Sequence, residues 1–486
     1  MISRILDLSI RYRWTVVLLS LGVAALGLWS LLRLPIDAVP DITNKQVQIN
    51  TTAPALSPVD TERQVTFRIE TALAGIAGLE STRSLSRNGF SQVTAIFAEA
   101  TDIYFARQQI NERLIELRSS LPPGAEPRMG PIATGLGEIY MWTISLGPKD
   151  DISDGKPGWR NDGSFITSDG ERLKTDLERG AYLRSVQDWI IRPQVRSVPG
   201  VAGVDAIGGY VKQYQVKPDP AKLISLGLSF GDVVRAIEAN HISRGASTID
   251  RNGEGIAVRT GGRLESLDDI GNVAVITRGG VPVRIRDVAE IAIGGDIRTG
   301  SASRDGHETV VGTALMLVGG NSRTVAAAVD AKMQDIRRTL PAGVRVETVL
   351  NRTQLVDATI TTVAKNLGEG ALLVIAVLFL LLGNVRAALI TAFVIPLAML
   401  MTATGMLQGK ISANLMSLGA LDFGLIVDGA VIIMENALRR LAERQTETGR
   451  GLSLSERLET VKASAEEMIG PSVYGQAIII WSMCRC

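Results

Sequence analysis

Apolar and polar positions are unevenly distributed along this chain. Residues 14–32, WTVVLLSLGVAALGLWSLL, carry no charge. At 1.5 Å per residue they make about 28 Å of helix, enough to cross a bilayer core. Arg4, Arg11 and Arg13 precede them, which sets the N-terminal end on the cytoplasmic side. A cleaved leader is the alternative. The apolar run is long for one, and RLPIDAVP follows without a small-residue cleavage site, so we read an uncleaved anchor. The next apolar run starts at Gly370. The long soluble stretch between the two therefore lies outside, in a Gram-negative periplasm. Spans are expected at 370–385, 387–409 and 411–434, with a turn at 384–386. Arg386 and the group Arg439, Arg440 and Arg444 then face the cytoplasm. Residues 454–468 predict an amphipathic helix on that side. PSVYGQAIII begins another apolar run, too short to span before the sequence ends.

The soluble region contains a repeat. ETALAGIAGLESTRSLSRNGFSQVTAIFA (70–98) aligns with RPQVRSVPGVAGVDAIGGYVKQYQVKP (192–218). Gly75, Ala77, Gly78 and Glu80 correspond to Gly200, Ala202, Gly203 and Asp205. Each unit predicts helix, strand, Gly-containing turn and strand, with QVQINTTAP or EIYMWTISL as a leading strand. The ordered correspondence favours duplication over chance. Residues 147–180 are rich in Asp and Gly with interleaved Lys and Arg, and read as a solvated loop insertion, not a metal-collecting one. Residues 210–294 predict a subdomain inserted into the second repeat. At 322–340, Val325, Val329, Met333 and Ile336 form one helical stripe that closes that repeat.

Composition narrows the class. The chain has 486 residues, 46% hydrophobic and 21% charged, too apolar for a wholly soluble protein and too charged for one lying wholly within a membrane. A net charge of +1 gives no nucleic-acid footprint. Both cysteines, Cys484 and Cys486, fall in the last three residues, so no disulfide framework precedes them. Their Cys-x-Cys spacing could suit a soft metal, but no other ligand is near, and we read it as a frame artefact.

The candidate chemistry sits in LMSLGALDFGLIVDGAVIIMENALRRL (415–441). Asp422 and Asp428 lie inside an apolar segment, and Glu435 follows at its end. A carboxylate at a helix centre in hydrocarbon costs about 2.5 kcal/mol or more. Residues seven apart lie about 20° from one line, so Asp428 and Glu435 share a stripe. Asp422, six before Asp428, is about 120° away. Low dielectric raises a carboxyl pKa and lets it exchange protons near neutrality. These three residues therefore read as a proton relay. Structural pairing with a cation on another helix is the bland alternative. An intramembrane aspartyl protease would draw its two aspartates from different helices. His241 and His307, outside the membrane, read as ordinary polar residues.

LPIDAVPDITNKQVQINT, SLSRNGFSQVT, GPIATGLGEIY, LGNVRAALIT and NLMSLGALDFGLIVDGAVIIMENALRRLAERQ resemble the inner-membrane pumps of heavy-metal efflux systems. These pumps form part of the resistance–nodulation–division superfamily. The resemblance runs from Met1 to about Ile480. The DFG…VDGA…EN pattern is that of the divalent-cation branch. The 147–180 insertion is most similar to nickel–cobalt and nickel–cobalt–cadmium members, and next to cobalt–zinc–cadmium members.

The resemblance implies an α+β membrane protein: transmembrane helices plus periplasmic ferredoxin-like βαβ porter subdomains with an inserted docking subdomain. Residues 1–35 would be the anchor with the first transmembrane helix, and 36–135 the first porter subdomain. The second porter subdomain would take 136–209 and 295–350 around a docking subdomain at 210–294. Transmembrane helices two to four would occupy 351–441, a cytoplasmic amphipathic helix 442–470, and the start of a truncated fifth helix 471–486. The implied activity is non-enzymatic: proton antiport of Ni, Co and possibly Zn or Cd, with no cofactor. Asp422, Asp428 and Glu435 match the family's relay motif one for one. The implied partners are the membrane, two further copies in a homotrimer, a periplasmic adaptor (membrane fusion protein) and an outer-membrane channel, with no nucleic acid. The family's metal site lies largely in a second half that this sequence lacks, so its ligands stay unknown. A half-length sensor or accessory protein is the alternative.

Overall fold

The structure is a computed structural model. It describes residues 2–34, 43–148, 157–242, 244–251, 254–260, 262–298, 300–382, 384–409, 413 and 423–483. The chain divides into two compact units. One comprises residues 1–139, 316–328 and 351–486, the other 140–315 and 329–350.

The first unit holds a four-stranded antiparallel sheet in the order Leu79–Arg87, Phe90–Phe97, Lys45–Thr52, Glu126–Met129. Helical segments at 58–73 and Ile103–Leu117 make the connections, giving a β-α-β-β-α-β chain. Alternation dictates the inner face: Val47 and Ile49 on one strand, and Val93, Ala95 and Phe97 on its neighbour. They pack with Val65, Ile69, Leu73, Ile110 and Leu114 of the helices. Gly89, at φ +64°, makes the hairpin turn.

The same unit carries the long helices. Among the described residues, Arg13–Arg33, Arg352–Val377 and Val385–Gln408 are long and apolar enough to cross a membrane. Leu18, Leu19, Leu372, Leu373 and Phe393 are exposed on them, as suits hydrocarbon and not water. Asn384 caps Val385–Gln408, accepting from the Arg386 and Ala387 amides at 3.1 and 3.5 Å.

Three sequence expectations change here. The second long helix, expected at 370–385, spans Arg352–Leu382. Its first turns are polar and follow directly on the strand Val344–Asn351, so the apolar run marked only its later turns. Apart from Ala413, the span expected at 411–434 falls within the described residues from Phe423 onward, where a helix runs Phe423–Thr448, past the apolar segment. The break expected near residue 470 does not occur. Leu454–Met483 is one helix with Pro471 inside it, since proline removes one hydrogen bond without necessarily ending a helix.

The second unit repeats the first sheet. Its strands run Val201–Ile207, His307–Met316, Glu138–Leu146, Val344–Asn351, with the short strand Ala302–Arg304 also paired to His307–Met316. Gly75 and Gly200 both take positive φ, +82° and +89°. Each repeat also carries a π-helical turn ahead of this glycine, at Glu62–Thr66 and Gln187–Ile191, and both features recur at one sequence offset. Val329, Met333 and Ile336 are fully buried along the helix Ser322–Thr339, as their stripe predicts.

The expected second hairpin is corrected. Lys212–Pro218 does not pair with Val201–Ile207 but with Ala289–Gly295. The hairpin partner is His307–Met316, far along the chain, so the insertion interrupts the hairpin itself. Leu223, Val233, Ile270, Ile285 and Val288 form the insertion's own core.

The segment read as a solvated loop is also more ordered than expected. Gly158–Trp159, Phe165–Ile166 and Arg172–Leu173 form a small sheet. Trp159, Phe165 and Leu173 close over Leu146 and Tyr182. The two aromatic residues meet edge to face, with centroids 5.4 Å apart.

Candidate functional site

The relay candidates lie on or before the helix Phe423–Thr448. Asp422 is outside the described residues. Asp428 is in the helix, and its side chain lies outside what is described. Glu435 is exposed. The backbone thus sets Asp428 and Glu435 seven apart on one helix, close to one line.

This helix packs along Leu454–Met483, and the seam between them is polar. A Cβ on Gly429 would stand 2.8 Å from Gln476 Nε2 and 3.1 Å from Ser472 Oγ. Only glycine permits this approach without displacing them, one residue from Asp428. Asn436, only 5% exposed, donates from Nδ2 to the Ser464 carbonyl at 3.0 Å and to Glu467 Oε2 at 3.3 Å. Its Oδ1 accepts from Arg439 Nη2 at 3.0 Å. Arg440 Nη2 reaches both Glu467 oxygens at 3.0 Å, and Arg444 Nη1 donates to Thr460 Oγ1 at 3.2 Å. Bonding to Arg440 first, then to Asn436, holds the Glu467 carboxyl below its usual range. Lys462 pairs with Asp7, tying the helix Ile2–Arg11 to the same surface.

The sequence reading missed Asn436. The signal was an amide between Glu435 and Ala437 at the end of an apolar run, where an unpaired polar group would be costly.

A close approach also joins Arg13–Arg33 to Val385–Gln408. A Cβ on Gly27 would lie 2.4 Å from Leu400 Cβ and 2.7 Å from its carbonyl oxygen. Small side chains line the second helix there, with Ala388, Thr391, Ala392 and Ala403 buried.

Among the described residues, no group of three or more His, Cys, Asp or Glu side chains could hold a metal ion. His241 Nδ1 accepts from the Leu264 amide at 3.2 Å. His307 lines a cleft of about 680 Å³ in the second unit. The acids of that cleft are engaged: Glu347 with Arg304 at 2.6 Å, Asp176 with Arg179 at 2.7 Å, and Glu308 with Arg298. In the insertion at 147–180, Ser164 and then Arg172 hold the Asp162 carboxyl down to about 2. Thr175 and Glu178 form a capping box on the helix Asp176–Val186. These acids serve turns and caps.

Comparisons with known proteins agree in kind. Residues 5–483 match the model of the AcrB/AcrD/AcrF family. The chain is 57% identical over its whole length to the nickel and cobalt resistance protein CnrA of Cupriavidus metallidurans, covering 46% of that protein. It is 56% identical to the nickel-cobalt-cadmium resistance protein NccA of Alcaligenes xylosoxydans xylosoxydans, again covering 46%. It is 53% identical to the cobalt-zinc-cadmium resistance protein CzcA of Cupriavidus metallidurans over 99% of the chain, covering 43% of that relative. The chain thus spans about half the length of these relatives. A crystal structure of a heavy metal efflux pump superposes on 98% of the chain, with a TM-score of 0.76 at 31% identity, and the chain covers 47% of it.

Proposed function

The chain belongs to the AcrB/AcrD/AcrF family, and on that premise we propose that it forms the N-terminal portion of a proton-driven pump for divalent heavy-metal cations. The observation that carries this reading is the pairing of identity along the whole of this chain to part of the nickel–cobalt resistance proteins with a helix that carries Asp428 beside the close approach at Gly429. The pump sits in the inner membrane, with the two sheet-bearing repeats outside as porter subdomains and 210–294 as a docking subdomain. It works as a homotrimer with a periplasmic adaptor and an outer-membrane channel. It is a secondary transporter, not an enzyme.

Asp422, Asp428 and Glu435 carry the protons. A neutral carboxylic acid enters a low-dielectric groove at much lower cost than a carboxylate. Asp428 takes up a proton, and loss of that proton toward the cytoplasm recharges it. The change in charge biases helix packing. Asp428 matters most, Asp422 next, and Glu435, exposed in the structure, least.

Nickel and cobalt are the cargo, with zinc or cadmium as extras. Borderline divalent ions suit carboxylate and imidazole ligands better than Cu⁺ does. Cells lacking their own pump and carrying a full-length transporter with this sequence should survive raised Ni²⁺ and Co²⁺. Protection against copper or silver alone would overturn the cargo assignment.

A further inference from the structure

We propose that Asn436 is the positioning residue that fixes the rotation of the helix Phe423–Thr448 against Leu454–Met483. The proposal rests on the relay reading above for its meaning in transport, though its geometry stands without it.

Gly429 and Asn436 are seven apart and so lie close to one line on the helix. Both meet the same neighbour. Gly429 approaches Ser472 and Gln476, and Asn436 bonds Ser464 and Glu467. That line is the seam. Asp428 and Glu435 each precede a seam residue by one position, about 100° around the axis. Rotation by one position would bring residue 428 or 430 into the place of Gly429. The ends of the Gln476 and Ser472 side chains occupy that place, and a side chain rotated into it would have to displace them.

The Asn436 amide holds the observed rotation. Both of its donor bonds cross the seam, and its oxygen is anchored by Arg439 on its own helix. Arg440 and Arg444 also cross the seam. Arg440 is exposed, and a long arginine tolerates rotation of its own helix as a short amide does not. When a relay carboxyl changes charge, the clamp makes the two helices respond together.

Cross-linking tests this on the 486-residue chain in native membranes, with Cys484 and Cys486 changed to Ser. The 3.1 Å between a Gly429 Cβ and Ser472 Oγ is close to the separation across one C–S–S angle, about 3 Å. Gly429→Cys with Ser472→Cys should therefore form a disulfide under mild oxidation, read after cutting a protease site placed between 449 and 453. Adding Asn436→Ala should lower the yield several-fold, and Arg440→Ala should leave it unchanged. Equal yields with and without Asn436→Ala would overturn the proposal.

In a full-length transporter carrying this sequence, Asn436→Ala should also shift the pH midpoint of metal-driven proton flux. Asn436→Gln, which keeps both donor and acceptor, should bring it partway back. Reduced flux at an unchanged midpoint would mean a purely structural residue. If the relay reading itself fails, Asp428→Asn retains flux while the cross-linking result stands.

Discussion

Gly22 and Gly27 lie on one helix, Arg13–Arg33, and their surroundings differ sharply. A Cβ on Gly22 meets nothing within 4 Å. A Cβ on Gly27 falls 2.4 Å from Leu400 Cβ, 2.7 Å from its carbonyl oxygen and 2.8 Å from its carbonyl carbon. Carbon atoms in contact sit at about 3.5–4.0 Å, so Gly27→Ala must push the helices apart by roughly 1 Å. The obstacle includes backbone, which no rotamer change removes. A gap of that size forfeits about a quarter to a half of the dispersion well for each neighbouring contact. Overpacking of this kind costs about 1–3 kcal/mol. Replacing a helical glycine by alanine gains up to about 1 kcal/mol from the backbone. That gain applies to both positions and cancels in their difference. Gly22→Ala should therefore be neutral or stabilising, and Gly27→Ala should fall about 1–3 kcal/mol below it. Thermal or detergent-titrated unfolding of the purified chain measures the difference. If Gly27→Ala matches Gly22→Ala, the two helices do not pack at this glycine.

Other outcomes follow from buried polar groups and tight contacts. Tyr140 Oη donates to Asp330 Oδ1 and meets Thr348 Oγ1, each at 2.6 Å. Burial and then the bond to Asp330 push its pKa up to about 12. Tyr140→Phe should cost about 1–3 kcal/mol in thermal unfolding, because it strips partners from a buried network. A Cβ on Gly312 would lie 2.3 Å from the Trp142 ring, which is itself fixed by Gln187 Oε1 at 2.9 Å. Gly312→Ala should destabilise the second repeat, seen as faster amide exchange in His307–Met316 with the first repeat's strands unchanged. The pKa of Asp162 is depressed from 3.8 to about 2, so its contribution is present above pH 3.8 and lost as pH falls toward 2. Amide exchange in 157–175 should rise across that window, and Asp162→Asn should remove the dependence.

Much of this architecture could be read from the residues, and its failures share a cause. The Gly-x-Ala-Gly correspondence exposed the duplication because a positive φ at Gly75 and Gly200 restricts the residue type. The stripe Val325–Val329–Met333–Ile336 showed its helix because periodicity is local. Strand pairing is not local. Lys212–Pro218 looked like a hairpin partner by adjacency, and an insertion had moved the true partner to His307–Met316. Trp159, Phe165 and Leu173 were too widely spaced among Asp and Gly to register as a core. The change from polar to apolar residues set a boundary at 470, and Leu454–Met483 runs through it as one helix with Pro471 inside. The proposed relay residues drew attention in sequence as costly carboxylates in an apolar run. Asn436 was not singled out, because its significance lies in Ser464 and Glu467 on another helix.

The central claim is that Asp428 exchanges protons as metal moves, and one measurement addresses it most directly. A full-length transporter carrying this sequence is reconstituted in proteoliposomes, and metal-driven proton flux is recorded for the parent and for Asp428→Asn. Asparagine keeps size and shape and fixes the neutral state. The account predicts that Asp428→Asn assembles normally and moves no protons when metal is supplied. Proton movement at the parent's rate in Asp428→Asn would contradict it.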